Sequence, residues 1–232
     1  PALFPAGAAP SRNYRATRYR FRASSHFLHL VGMPLERAWL HYDDGRYVLY
    51  APEPTADDAL WHGPSPTLSD LSAWTGLDVR SVSRLGALRD ETACLPVRDL
   101  ETSTHLLSLL GRVPTEPPTD ARDVTLAHAM IASRLSHDDF AVGEIRHAIA
   151  TTRRAFEAGI AETRGARTMR EVKSAMLAVF EAHGDDAAYG PIVTTHGEIL
   201  HTDDSSERVL ETALVLADVG AESAFGYAAD VT

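Results

Sequence analysis

The chain has 232 residues, 44% hydrophobic and 23% charged, which fits a globular protein with a substantial core and leaves no apolar run long enough to span a bilayer. Its 32 acidic against 22 basic side chains give a formal net charge of -10, which argues against a nucleic-acid partner because a phosphate backbone would be repelled. The single cysteine, Cys94, excludes a disulfide within the chain and fits a cytoplasmic home; in the setting TACLPV it reads as a small buried apolar residue rather than a nucleophile.

The N-terminus, PALFPAGAAPSRNYR, lacks a basic-then-apolar signal pattern, and it opens on Pro rather than Met, so trimming upstream is expected. RAWLHYDD and GRYVLYAPEP read as two strands joined at Asp43-Asp44-Gly45, where Asp-Gly is a strong hairpin signal. Helices are expected around TADDALWHG and PTLSDLSAWTG, the second capped by Thr67 or Ser69, and at residues 105–112, HLLSLLGR, closed by Gly111. The Pro-rich segment 113–123 reads as a linker, and the domain division is placed in it, giving residues 1–118 and 119–232. Beyond it, Ile145, Ile149, Thr152, Phe156 and Ile160 recur at helical spacing and predict one buried stripe. The next helix starts at Thr168, with Glu171 three residues on as a capping box; it buries Met169, Val172, Met176, Val179 and Phe180 and ends at Gly184. The remainder, YGPIVTTHGEIL, VLETALVLADVG and FGYAADVT, reads as strand-rich.

Two aspartates in that last stretch carry the chemistry. With LVLADVGAE and FGYAADVT on antiparallel strands and a turn centred near Ala224, Asp218 and Asp230 lie opposite each other. Carboxylates held so close repel unless one is protonated or a cation bridges them, and a divalent metal answers that need. A solvated pair flanking a hairpin would need no metal, and two ligands do not complete a site for a hard divalent ion. His201, in GEILHTDD, is the natural neighbour, as a ligand, a proton donor or a hydrogen bonder at the rim; its plain reading is a partly exposed histidine at a strand end. His196 has a weaker claim, and His26 and His29, three apart, have no acidic flank.

These residues resemble a known family. Ile192, Val193, Gly197, Leu200 and His201, then Asp218 and Gly220, then Gly226, Tyr227, Asp230, Val231 and Thr232 are similar to the first half of the metal-ligand region of the pita-bread metallopeptidases, which include aminopeptidase P (Xaa-Pro aminopeptidase), prolidase and methionine aminopeptidase. Arg12, Asn13, Tyr19, Phe21, Arg22, Ser25, Phe27, Gly32, Trp61 and Gly63 resemble the N-terminal domain of aminopeptidase P and prolidase. The resemblance covers essentially the whole chain. It implies an α/β N-terminal domain of the creatinase/aminopeptidase P type, followed by part of an α+β pita-bread domain. Departures are Thr202 where the family carries an aromatic residue, one extra residue between the aspartates, and a loosened Gly165…Glu171 spacing.

The implied activity is removal of the N-terminal residue from peptides with proline second, by a hydroxide bridging two divalent metals: manganese foremost, cobalt or zinc otherwise. Asp218 and Asp230 would be the first two of five metal ligands, and His201 would sit by the scissile bond. The family's remaining His and two Glu ligands lie beyond Thr232, so the site is expected to be complete only with a C-terminal polypeptide, on a separate chain after cleavage. Homo-oligomers are also implied. The alternatives are a prolidase, which cuts only dipeptides, and a catalytically inactive peptidase-like binding protein; a metal-free creatinase-like enzyme is disfavoured by the retained aspartates.

Overall fold

The computed structural model describes residues 1–14 and 16–232, and the chain divides into two compact units, Pro1–Ser136 and His137–Thr232. The first is built on a five-stranded sheet. Strand β1 (Ala2–Pro5) pairs antiparallel with β4 (Trp39–Asp43) and parallel with β7 (Ala93–Cys94), while β5 (Arg46–Ala51) pairs antiparallel with β4 and parallel with β6 (Asp78–Ser81). A separate ribbon joins β2 (Ser11–Tyr14) to β3 (Thr17–Arg18). The β4–β5 connection is the expected hairpin: Asp43 pairs with Arg46, and Asp44 and Gly45 between them both take positive φ, 46° and 78°. That is the two-residue geometry an Asp-Gly pair favours.

Successive strand residues face opposite ways, so this sheet builds two cores. Leu3, Trp39 and Tyr50 join Cys94 and Leu106 on one face. Phe4, Leu40 and Leu49 join Phe27, Leu28, Leu71 and Met130 on the other. Helices of this unit start where side chains can cap them. Thr55 and Thr67 each form a full capping box, with Asp58 for α2 (Ala56–His62) and Asp70 for α3 (Leu68–Thr75). Asp99 accepts from Thr102 N–H to start α4 (Leu100–Leu110), several residues earlier than HLLSLLGR predicts. A shorter helix, α1 (Ser25–Val31), ends on left-handed Gly32.

The compact unit runs past the Pro-rich segment. Helix α5 (Ala121–Arg134) is tied back by Asp123, whose buried carboxylate accepts from Cys94 N–H at 2.8 Å and from the Arg112 guanidinium at 2.5 and 2.9 Å. Arg112 also donates to Thr92 O, and Met130 enters the core. The expected division at 118/119 therefore falls inside the first unit, because one buried carboxylate fastens the helix after the prolines to the strand and loop before them.

In the second unit, α6 (Asp139–Thr163) packs on α7 (Met169–His183). The apolar face of α7 is as expected, with Met169, Val172, Met176 and Phe180 buried. The expected stripe on α6 holds only in part, with Thr152 buried and Phe156 packed against the core. Ile149 and Ile160 are exposed, and the buried face is Ala141, Ala148, Thr151, Thr152, Ala155 and Gly159. Small residues allow close approach: a Cβ on Gly159 would lie 2.8 Å from Met176 Cγ. The Thr168 capping box forms only in part. Glu171 reaches back to the N–H and guanidinium of Arg167, and the Thr168 hydroxyl caps nothing. The final third is less strand-rich than its sequence suggests. It holds β8 (Asp186–Ala187), β9 (Ile192–Thr194), β10 (Leu216–Asp218) and β11 (Ala221–Glu222), paired β9–β10 and β8–β11, because the short partners leave most of VLETALV without a ladder. Among the described residues, no helix is long and apolar enough to cross a membrane.

The clamp on α5 makes a stability prediction. Asp123→Ala leaves Cys94 N–H without its acceptor and leaves the Arg112 guanidinium only Thr92 O and the nearby Asp120, so a loss of about 1–3 kcal/mol is expected. Urea unfolding followed by circular dichroism measures it, with Asp120→Ala, which removes the N-cap of the same helix, as the milder comparison.

Candidate metal centre

Asp218 ends β10, opposite Ile192 of β9. The chain then folds into a hairpin with the last residues: Val219 N–H bonds Val231 O, Ala229 N–H bonds Ala221 O, and Ser223 N–H bonds Tyr227 O. This register turns about Phe225 rather than Ala224. Asp230 consequently falls across from Gly220, and Asp218 is its diagonal neighbour on the same face, not its direct partner. The expected opposition is thus corrected to a diagonal, which still allows side chains to meet. Gly220 is needed where it stands, since a Cβ there would lie 1.9 Å from Ala229 O.

The side chain that joins the two aspartates is Tyr189, a residue for which motif and spacing predict no role. Its hydroxyl lies 2.6 Å from Asp218 Oδ1 and 2.7 Å from Asp230 Oδ1. Burial, and then the two carboxylates, push the phenol well above its ordinary range, so it stays protonated. A phenol carries one hydrogen and can donate it to one oxygen at a time. The second short oxygen–oxygen contact needs a proton on a carboxylate or a positive charge nearby. Two hard carboxylate oxygens converging on one point are the donor set that divalent cations take, so the residues present fit part of a metal centre. Among the described residues, no group of three or more His, Cys, Asp or Glu side chains gathers to hold an ion, so the remaining ligands are not supplied there.

Helix α6 supports the hairpin from behind. Thr152 Oγ1 accepts from Ala221 N–H at 2.9 Å within the buried core, and Phe140 stacks edge-on against Phe225 at the tip with ring centroids 5.1 Å apart. Tyr189 arrives through β8, which pairs with β11, and Ala188 N–H bonds Gly220 O.

His201 lies in an exposed turn and makes no hydrogen bond or ion pair among the described residues; nothing there joins it to the aspartates. Its loop is held at the base by Glu207, which accepts from Thr194 Oγ1 at 2.7 Å, from Thr195 N–H at 2.8 Å and from the Thr195 hydroxyl. Those three donors hold the Glu207 carboxyl below its usual range, the Thr195 hydroxyl contributing most. His196 pairs instead with Glu198, which raises it. In the first unit, burial lowers His26, with Arg134 and His29 adding to the effect, which is the environment of a packed neutral imidazole. Burial, with Asp123 nearby, drives the Cys94 thiol far upward, so no thiolate forms there.

Tyr189 could have been found from the sequence only by its place at the head of YGPIV. Nothing in its spacing of 29 residues from Asp218 shows that a short strand pairing brings them together.

Comparison with known proteins places these observations. Residues 1–92 match the model of the aminopeptidase P N-terminal domain, and residues 143–232 match that of metallopeptidase family M24. Over 99% of the chain, it is 28% identical to Xaa-Pro aminopeptidase 1 and to Xaa-Pro aminopeptidase 2 of Streptomyces coelicolor, covering 50% and 52% of those proteins. The chain thus spans about half the length of the curated relatives it matches. Its fold matches aminopeptidase P from E. coli in its low-pH form with a TM-score of 0.79 at 19% identity, over 99% of this chain and 56% of that one. Pseudomonas aeruginosa aminopeptidase PepP matches with a TM-score of 0.76 at 20% identity, over 96% of this chain and 55% of that one. An aminopeptidase P N-terminal segment leads here into M24 sequence that carries the aspartate hairpin, and the chain is similar along nearly all of its length to the aminopeptidase P group of the M24 metallopeptidases.

Proposed function

We propose that these residues form the N-terminal domain and the first part of the metal site of a Xaa-Pro aminopeptidase, an exopeptidase that releases the residue preceding a proline. The observation that carries this reading is the convergence of Asp218 and Asp230 on the Tyr189 hydroxyl, within the M24 segment of a chain similar to Xaa-Pro aminopeptidases.

Asp218 and Asp230 would hold two divalent ions together with ligands outside these residues, manganese being the first candidate and cobalt or zinc the others; one of the related E. coli structures is described as zinc-substituted. Bound there, such ions supply Lewis acidity toward a peptide carbonyl and lower the pKa of a coordinated water. Tyr189 holds the two carboxylates on one face through its hydroxyl. His201, unbonded and exposed on a loop stapled by Glu207, is free to donate a hydrogen bond to the carbonyl of the scissile peptide. The apolar groove lined by Phe156, Ile160, Met176, Leu214 and Leu216 is the surface against which the rest of the catalytic domain would pack, as a further polypeptide or a continuation. Homo-oligomers are expected from the same likeness.

Three outcomes are expected. The protein as it occurs, with any accompanying polypeptide, should release alanine from Ala-Pro-Xaa but not from Ala-Ala-Xaa peptides when manganese is added, and Asp218→Asn or Asp230→Asn should abolish that release. A protein that binds manganese and leaves Ala-Pro-Xaa intact would overturn the aminopeptidase reading. Tyr189→Phe, which keeps the ring and removes the shared hydrogen, should cost roughly 10–100-fold in metal affinity, read by calorimetric titration. Native and denaturing mass measurement should show that these residues travel with a second half of the catalytic domain; these residues on their own, with no further polypeptide in either measurement, would refute that partner.

A further inference from the structure

His147 sits on the half-exposed side of α6, and its Nε2 lies 2.9 Å from Asp185 Oδ1. Asp185 is 3% exposed, and its second oxygen, Oδ2, is buried with no hydrogen-bond partner among the described residues. The Asp185 carboxylate accepts in this contact when Nε2 carries the hydrogen. A buried carboxylate with one oxygen unmatched is costly, and a buried pair of this kind is weak evidence of stabilisation. Its place in the chain suggests a different use.

Asp185 succeeds the left-handed Gly184 that ends α7, where its N–H closes the helix on Phe180 O at 3.0 Å. The next residues are β8, then Ala188 bonded to Gly220 O, then Tyr189. The segment leading to the tyrosine is therefore fixed at its root by His147 and along its length by the aspartate hairpin. The hairpin is itself tied to α6 by Thr152, one turn and a residue beyond His147. One helix thus holds both parts that must meet at the Tyr189 hydroxyl.

We propose that His147 and Asp185 form a positioning pair, which sets the segment carrying Tyr189 against α6 so that its hydroxyl reaches Asp218 and Asp230 together. Neither residue touches the metal centre; they act through Tyr189. The consequence for catalysis rests on reading those aspartates as metal ligands, but the geometry does not.

The experiment reads the ring resonances of Tyr189 in protein with ¹³C-labelled tyrosine, assigned by their loss in Tyr189→Phe and recorded without added metal or substrate. His147→Ala is expected to displace the Tyr189 signal, and His147→Gln, whose amide N–H can still donate to Asp185, is expected to return it to its wild-type position. A folded His147→Ala protein with a lowered melting temperature but an unmoved Tyr189 signal would mean that the pair serves stability alone, and the proposal would fall. Should His147→Ala not fold, the double variant His147→Leu/Asp185→Leu removes the buried charge together with its partner. A displaced Tyr189 signal there supports the proposal, and an unmoved one overturns it. Because the readout uses neither peptide nor metal, it stands apart from the aminopeptidase test: loss of the activity reading would leave the resonance shifts as they are.

Discussion

Two carboxylates on one face of a hairpin repel each other, and the hairpin of the second unit brings Asp218 and Asp230 together through the Tyr189 hydroxyl. The tyrosine between Asp218 and Asp230 brings a single hydrogen to two oxygens. It can steady the pair but not neutralise it. The proposed metal site rests on that remaining demand for positive charge. The glycine across from Asp230 lets the two chains of the hairpin come near enough for this to happen, since any side chain there would collide with the backbone opposite.

Holding that arrangement still falls to α6. Its inward face is made of alanine, threonine and glycine rather than of large apolar residues, which brings α7 and the hairpin close to its backbone. Close packing lets Thr152 serve as a structural acceptor for Ala221 N–H. A helix faced with isoleucines would stand farther off and could not offer that bond. The large residues that periodicity assigns to the core, Ile149 and Ile160, are left on the outside, where Ile160 lines an apolar groove.

The first unit has an ordinary α/β plan in which alternating strand residues feed two cores. Its one unusual element is the buried Asp123, which takes donors from a strand, from a loop arginine and from nothing in its own helix. A charged residue in that place reads from the sequence as part of a polar linker. Only the fold reveals it as the group that makes the linker part of the domain.

The sequence by itself determined the features that depend on local preference and on spacing: the Asp-Gly hairpin, the threonine cap of α3, the apolar face of α7, and the pair of aspartates with their resemblance to a metallopeptidase hairpin. These arise from φ preferences, cap chemistry and periodicity, which act over a few residues. Tertiary structure alone decided the register of the aspartates, the arrival of Tyr189 between them, the inward face of α6, and the pairing of His147 with Asp185. Each of those depends on which backbones approach one another and how closely. A one-dimensional pattern records residue type and spacing, but not the hydrogen bonds that set a register or the small side chains that set a distance.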